Sequence, residues 1–258
     1  MPKSPVFIVG SPRSGTSVLV IALTRAGYQG YHEGNFLPLM MSVGDMVDRY
    51  FAGAGKKNPK VLAAHVDPAL LKSRLQDVFR TVTQELNTGP YWFDKSGNHE
   101  MIRAVPILRR LWPESVFIFA KRRGIENLVS RTKKFPTRDF EYHCVDWAKN
   151  MSTWREVRAQ LPNDAYAEVD QRDLLLNTDA VAAKISALLQ LAPAQAQTIV
   201  KTFQSARPQE TEKGSAVQTY SLDSVGWSQE QLATFKKYCE AEMHAYGYGL
   251  GPEYGQPR

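Results

Sequence analysis

The sequence predicts a single α/β domain in which helices cover both faces of a central, mostly parallel sheet. Two short apolar runs, VFIV at residues 6–9 and VFIFA at residues 116–120, have the length and composition of buried strands. A glycine-containing turn resembling a P-loop follows the first run and leads into a helix. Further strands alternate with helices along the chain, which is typical of parallel sheets with helical connections. We expect one domain over residues 1–250 and a loose tail over residues 251–258.

The first half of the chain is predicted to hold three helices and a second short strand. The apolar segment after the turn ends at Gly27, as a helix with a glycine stop does. Asp67 and Pro68 begin an amphipathic helix that runs to about Leu86, because Asp is a favoured N-cap and Pro a favoured first residue. A strand at residues 91–93 and a helix at about 98–111 follow.

The second half of the chain continues the alternation of strands and helices. The strand VFIFA is followed by a basic helical stretch. Residues 205–226 are polar and without periodicity, and a loop of that length is usually functional. The other predicted elements are helices at 139–160, 178–191 and 228–246 and a strand at 165–169.

The charge of the chain is concentrated in one region. The formal net charge is +6, and seven basic residues fall between positions 121 and 138. No aromatic residues are interleaved there at base-stacking spacing, so a local anion pocket is favoured over a nucleic-acid partner. No apolar run approaches the ~18 residues that span a bilayer, so no membrane span is expected.

The cysteines, the histidines and the N-terminus indicate a cytoplasmic protein without a metal. Cys144 and Cys239 are far apart and outside any metal-binding spacing, as expected of reduced thiols. The five histidines do not pair at metal-ligand spacing. The apolar run near the N-terminus is too short for a secretory signal. The sequence gives no indication of an oligomeric state.

The turn after the first strand has the spacing of a phosphate-binding loop. Residues Gly10 to Gly15 match G-x-x-x-x-G, which lets backbone amides converge on a phosphate at a helix N-terminus. In a triphosphate-binding loop the next residue is lysine, but Thr16 stands there and the positive charge is on Arg13. This favours a donor with one leaving phosphate. A P-loop kinase or NTPase and a non-catalytic anion-binding module remain the alternatives.

At this point the sequence resembles a known family. GSPRSGTSVL is similar to the loop with which sulfotransferases bind the 5′-phosphosulfate of 3′-phosphoadenosine 5′-phosphosulfate (PAPS). The family's second signature is an arginine after a strand and a serine eight positions later, and both bind the 3′-phosphate. Arg122 and Ser130 have that separation after VFIFA, and a guanidinium suits two-pronged phosphate binding. The resemblance implies donor contacts from Arg13, Ser14, Gly15, Thr16, Ser17, Arg122 and Ser130.

Further local matches extend the resemblance over most of the chain. WFDKSGNH is similar to the segment in which a lysine follows an acidic residue after a strand, and EVDQRDLL resembles a later strand and turn. TEKGS is similar to the late element beside the 3′-phosphate, which implies donor contacts from Lys213 and Gly214. The chain departs from the pattern at Gly97, where the family has proline, and in the turn after Arg122.

The resemblance implies transfer of a sulfuryl group from PAPS to a hydroxyl acceptor by in-line displacement, which leaves 3′-phosphoadenosine 5′-phosphate (PAP). The acceptor is expected to be a carbohydrate, a glycolipid or a small metabolite, and no metal is required. Arg13 and then Lys95 are the candidates for stabilising charge on the leaving oxygen. Glu33 is the preferred base, His32 its rival and His99 the third candidate. Acceptor-binding residues are expected in segments 31–65, 133–145 and 205–226.

Overall fold

A computed structural model describes residues 4–53, 58–205 and 219–255 of the chain. Within this part, five strands form one sheet in the order β2-β3-β1-β4-β5, and every neighbouring pair is parallel. The predicted fold class is confirmed. The strands are β1 (Val6–Gly10), β2 (Gln29–Gly30), β3 (Trp92–Lys95), β4 (Val116–Lys121) and β5 (Tyr166–Asp170).

Helices connect the strands and cover both faces of the sheet. A 3-10 turn at Leu62–His65 precedes the third of them. The helices are α1 (Thr16–Arg25), α2 (Leu39–Gly53), α3 (Pro68–Leu86), α4 (His99–Arg103), α5 (Val105–Leu111), α6 (Gly124–Lys134), α7 (Phe140–Arg158), α8 (Asp173–Leu176), α9 (Thr178–Leu189), α10 (Pro193–Ser205) and α11 (Gln229–Ala245).

The core is divided into two layers by the alternation of side chains along the strands. Phe7 and Val9 of β1 lie in a cluster with apolar residues of α4, α5, α6, α7 and α11. Val6 and Ile8 of the same strand lie in a second cluster with residues of α1, α9 and α10. All four side chains are buried. Because both faces are covered, the exposed edge available for ligands is the one at the carboxyl ends of the strands.

Most predicted elements agree with the structure within a few residues. Helices α2 and α10 and the two-residue strand β2 were not predicted. The single helix expected over 98–111 is two helices, since Pro106 lies at the start of α5 and cannot donate a backbone hydrogen bond into a continuous helix. Among the described residues, no helix is long and apolar enough to cross a bilayer.

Residues 251–255 differ from the loose tail that the sequence predicts. The Tyr254 hydroxyl donates to Asp170 Oδ1 at 2.7 Å, and Arg123 Nη1 donates to the Glu253 carbonyl at 2.7 Å. Gly255 forms an isolated bridge with Tyr248. The tail is held because it satisfies a buried arginine and a buried carboxylate at the ends of β4 and β5.

Candidate active site

The predicted donor loop lies at the carboxyl end of β1, between the ends of β3 and β4. Gly10 pairs in register with Ala120 of β4, and a side chain at Gly10 would clash with the Ala120 carbonyl oxygen. The loop then turns through two residues with left-handed backbone angles, Arg13 (φ 70°) and Gly15 (φ 90°). A Cβ at Gly15 would come within 2.9 Å of the Leu174 side chain, so this position requires glycine.

Helix α1 begins directly after the loop. Gly15 is its N-cap, and no side chain of the described residues caps the first turn, so the first amides of the helix remain available for an anion. Thr16 is buried at the position where a kinase loop has lysine, whereas Ser17 is exposed. Gly15, Thr16 and Ser17 thus form the junction between the loop and the first turn of α1.

The two predicted ends of the donor site are in contact. Arg13 Nε donates to Ser130 Oγ at 3.0 Å, across 117 positions of sequence. Arg122 Nη1 donates to the Arg13 carbonyl at 3.3 Å. The structure thus brings together the loop arginine and the Arg122–Ser130 pair that the sequence singled out separately.

Arg122 differs electrostatically from two other arginines nearby. Arg123 forms an ion pair with Glu126, and Arg131 forms one with Asp146. Arg122 forms no ion pair with a carboxylate in the described part of the chain, and its buried Nε has no hydrogen-bond partner there. Burial lowers the pKa of the Arg122 guanidinium because desolvation disfavours its charge. Glu126 and Asp170 favour the charge of Arg122 without forming an ion pair with it. An anion at this position would supply the ion-pair partner that is absent from the described residues.

The predicted base and the second predicted cation also meet. Lys95 Nζ at the end of β3 forms a close ion pair with Glu33 Oε1; the Lys95 side chain is 7% exposed and that of Glu33 is 59% exposed. Gly97 lies between Lys95 and the donor loop, because a Cβ there would be 4.0 Å from Lys95 Nζ and 3.8 Å from the Pro12 ring. The ammonium group is therefore close to both the loop and the carboxylate.

The segment that carries Glu33 is attached to β3 through its backbone. The Gly34 amide donates to the Lys95 carbonyl at 2.8 Å, and the Asn35 amide donates to Ser96 Oγ at 3.0 Å. Ser96 in turn donates to Asp94 Oδ1 at 3.0 Å. These bonds fix the height of Glu33 above the sheet edge.

Asp94 is a buried carboxyl group beside this ion pair. Burial raises its pKa from 3.8 to about 6, against the opposing effects of the Ser96 hydroxyl and of Lys95. The Glu33 carboxylate raises the pKa further. A side chain at Gly34 would clash with the Asp94 carboxylate, so glycine is required for the close approach of the Glu33 segment to the end of β3.

The other two candidates for the base lie differently. His32 is exposed and adjacent to Glu33 in the same segment. His99 Nδ1 lies 3.0 Å from Glu100, and its neighbouring charges include Lys149 and Asp146 of α7. Burial lowers the pKa of His99. The structure brings Glu33 to Lys95 but turns His99 toward α7.

Several polar residues of the site carried no motif and were missed by sequence reasoning. Asn127 and Arg131 of α6 contact the donor loop, and Asp94 and Ser96 support the Glu33 segment. The helical spacing of Asn127 and Arg131, four residues apart, was the available signal for a shared face. Lys213 and Gly214 lie outside the described residues.

A carboxylate does end one strand of the sheet, but it is already engaged. Asp170 at the end of β5 accepts hydrogen bonds from the Tyr248 hydroxyl at 2.6 Å, the Tyr254 hydroxyl at 2.7 Å and the Arg172 amide at 2.8 Å. A kinase or NTPase needs a strand-end carboxylate for magnesium. This carboxylate is committed to the fold, and within the described ranges no cluster of three or more histidines, cysteines or carboxylates has metal-binding geometry.

Comparison with known proteins decides the family. The sequence profile of the sulfotransferase family matches residues 5–195, which is most of the chain and includes the donor loop, Lys95, Arg122 and Ser130. The chain belongs to the sulfotransferase family. A search of curated protein sequences found no match.

Solved sulfotransferase structures share the fold. The sulfotransferase domain of the olefin synthase of Synechococcus PCC 7002 has a TM-score of 0.58 at 16% identity, with 96% of each chain covered. Sulfotransferase STF9 from Mycobacterium avium has a TM-score of 0.56 at 14% identity, covering 93% of this chain and 77% of the other. Sulfuryl transfer is thus the activity of the family to which this sulfotransferase belongs.

Proposed function

We propose that this sulfotransferase uses PAPS as its donor and transfers the sulfuryl group to a hydroxyl acceptor. The observation that carries the proposal is the partly buried guanidinium of Arg122, which has no ion-pair partner in the described residues and lies one hydrogen bond from the donor loop. A 3′-phosphate there would accept from the Arg122 guanidinium and from the Ser130 hydroxyl. The uncapped first turn of α1 suits the 5′-phosphosulfate.

The proposed transfer assigns one role to each side chain at the mouth of the site. Glu33 accepts the proton of the acceptor hydroxyl, whose oxygen then forms the new bond to sulfur. The bond from sulfur to the bridging oxygen breaks, and its electron pair stays on the 5′-phosphate. Lys95 and Arg13 stabilise that developing charge, and loss of one such group commonly costs about 100- to 1000-fold in rate. The products are a sulfate ester and PAP, which keeps atoms and charge in balance.

The first experiment is a thermal-shift titration with PAP and, separately, with ATP and magnesium. At ~100 times the dissociation constant a ligand adds about 2.7 kcal/mol to the stability of the folded state. For a domain of this size that corresponds to roughly 5–10 °C in the unfolding midpoint. We expect the shift with PAP and none with ATP and magnesium.

Two variants make the titration specific to the site. Arg122→Ala should abolish the shift with PAP, whereas Arg80→Ala, which removes an arginine of α3 from a surface ion pair, should retain it. A shift with ATP and magnesium alone would overturn the proposed donor and favour the kinase alternative. If neither ligand shifts the midpoint of the folded wild-type protein, the anion-binding module becomes the better hypothesis. After a positive result, hydroxyl acceptors are screened with labelled PAPS.

A further inference from the structure

Helix α6 holds the donor loop by contacts that no motif of the sequence indicates. Asn127 Nδ2 donates to the Pro12 carbonyl at 2.9 Å and to Ser14 Oγ at 3.1 Å. Arg131 Nη1 donates to Ser11 Oγ at 3.2 Å. Arg122 also donates to the Arg13 carbonyl. Every residue from 11 to 14 therefore accepts a hydrogen bond from a side chain in residues 122–131.

The loop needs such support because of its backbone. Arg13 has a φ of 70°, a left-handed conformation that is unfavourable for residues with a side chain. The side-chain amide of Asn127 donates to Pro12 and to Ser14, the residues on either side of Arg13. A single side chain thus fixes the loop on both sides of its strained position.

The supporting groups are buried, so their hydrogen bonds are difficult to replace with water. Asn127, Ser11 and Ser14 are 0% exposed. Loss of Asn127 would leave the Pro12 carbonyl and the Ser14 hydroxyl without this donor in a desolvated site. Arg131 is neutralised by Asp146 of α7, which makes it a fixed support of the loop rather than an available ligand for a phosphate.

We propose that Asn127 is a positioning residue for the sulfuryl donor, supported by Arg131. It acts by keeping Arg13, the loop amides and the start of α1 in the arrangement that receives the donor's 5′ end. The inference rests on the proposed function only in the identity of the ligand. The support of the loop itself is independent of it and can be measured in the ligand-free protein.

The test compares Asn127→Ala with a matched control, Asn87→Ala. Asn87 is also buried, and its Nδ2 donates to the Thr83 carbonyl at 2.8 Å in the last turn of α3. The first measurement is hydrogen–deuterium exchange of ligand-free protein, followed in a peptide that covers residues 11–19. The second is the dissociation constant for PAP, measured by calorimetry well below the unfolding midpoint of each variant.

We expect Asn127→Ala to accelerate exchange in the 11–19 peptide while peptides from β4 and β5 keep wild-type rates. We expect its dissociation constant for PAP to rise about 10- to 100-fold, because the fold no longer maintains the receiving loop. Asn87→Ala should lower the unfolding midpoint but leave both the loop exchange and the PAP affinity within about 2-fold of wild type.

A second variant covers the case in which Asn127→Ala does not fold. Arg131→Lys keeps the charge beside Asp146 but loses the fork that also reaches Ser11, and it should show the same two effects in weaker form. Wild-type exchange and PAP affinity in a folded Asn127→Ala, or in Arg131→Lys where the former does not fold, would overturn the inference. If the wild-type protein binds no PAP, the proposed donor fails while the exchange measurement still decides whether α6 holds the loop.

Discussion

Replacing Asp94 with asparagine is expected to stabilise the folded protein at pH 8 and to change its stability little at pH 4. Asp94 is 6% exposed, and burial raises its pKa from 3.8 to about 6. Below pH 3.8 the Asp94 carboxyl group is mostly protonated in both the folded and the unfolded chain. Between pH 3.8 and about pH 6 the unfolded chain releases the proton first, so the free energy of unfolding falls as the pH rises.

The size of the effect follows from the gap between the two pKa values. Since one pH unit corresponds to 1.36 kcal/mol, ionised Asp94 costs the folded state about 3 kcal/mol above pH 6. Asparagine has the same shape, and its Oδ1 can still accept from Ser96, but it carries no charge to desolvate. The variant should therefore unfold roughly 5–10 °C higher than wild type at pH 8.

The assay is thermal or urea unfolding of both proteins between pH 4 and pH 8. Asp164→Asn, which neutralises an exposed carboxylate, is the matched control and should change stability by less than about 0.5 kcal/mol at any pH. A gain that is equal at pH 4 and pH 8 would refute the argument from ionisation. Equal or lower stability of Asp94→Asn at pH 8 would show that the charge of Asp94 is a net benefit to the fold.

Four further outcomes are expected. Glu33→Gln should lower kcat by about 100- to 10,000-fold with PAP affinity unchanged. Lys95→Ala should lower kcat by about 100- to 1000-fold. Steady-state kinetics and calorimetry with PAP check both variants, and a parallel loss of PAP affinity would contradict the proposed roles. Ser130→Ala should weaken PAP binding by about 3- to 10-fold without affecting adenosine 5′-phosphosulfate, which lacks the 3′-phosphate; an equal loss with both ligands would place Ser130 elsewhere. Deleting residues 251–258 should destabilise the fold by several kcal/mol in urea unfolding, because buried Arg123 loses carbonyl acceptors; an unchanged midpoint would contradict this.

The fold could be predicted because its evidence is local. VFIV and VFIFA are apolar runs of strand length, and Asp67 with Pro68 marks a helix start that the structure reproduces at the same residue. Helix α2 was missed for a local reason too. Its residues Leu39, Met46 and Tyr50 are exposed although apolar, which obscures the helical periodicity of the buried face.

The site could be predicted only as separate pieces. The loop and the Arg122–Ser130 spacing each carry a signal within a short stretch of sequence. The contacts that connect the pieces join residues that are far apart, such as Arg13 with Ser130 or Glu33 with Lys95. Asn127 shows the same limit, since a buried asparagine acquires meaning only from the carbonyl and hydroxyl that the fold places beside it.

The structure divides the site into two parts with separate supports. The donor loop is held by α6, whereas Glu33 and Lys95 are held by β3 through the Gly34 and Asn35 amides. Gly97 lies where the two parts approach each other, since a Cβ there would be 4.0 Å from Lys95 Nζ and 3.8 Å from the Pro12 ring. The two parts can therefore be perturbed independently, and changes in α6 should affect donor affinity while changes at β3 affect the chemical step. Under the proposed function the acceptor enters where the two parts meet, beside the Glu33 carboxylate, which is the more exposed charged group of the Glu33–Lys95 pair.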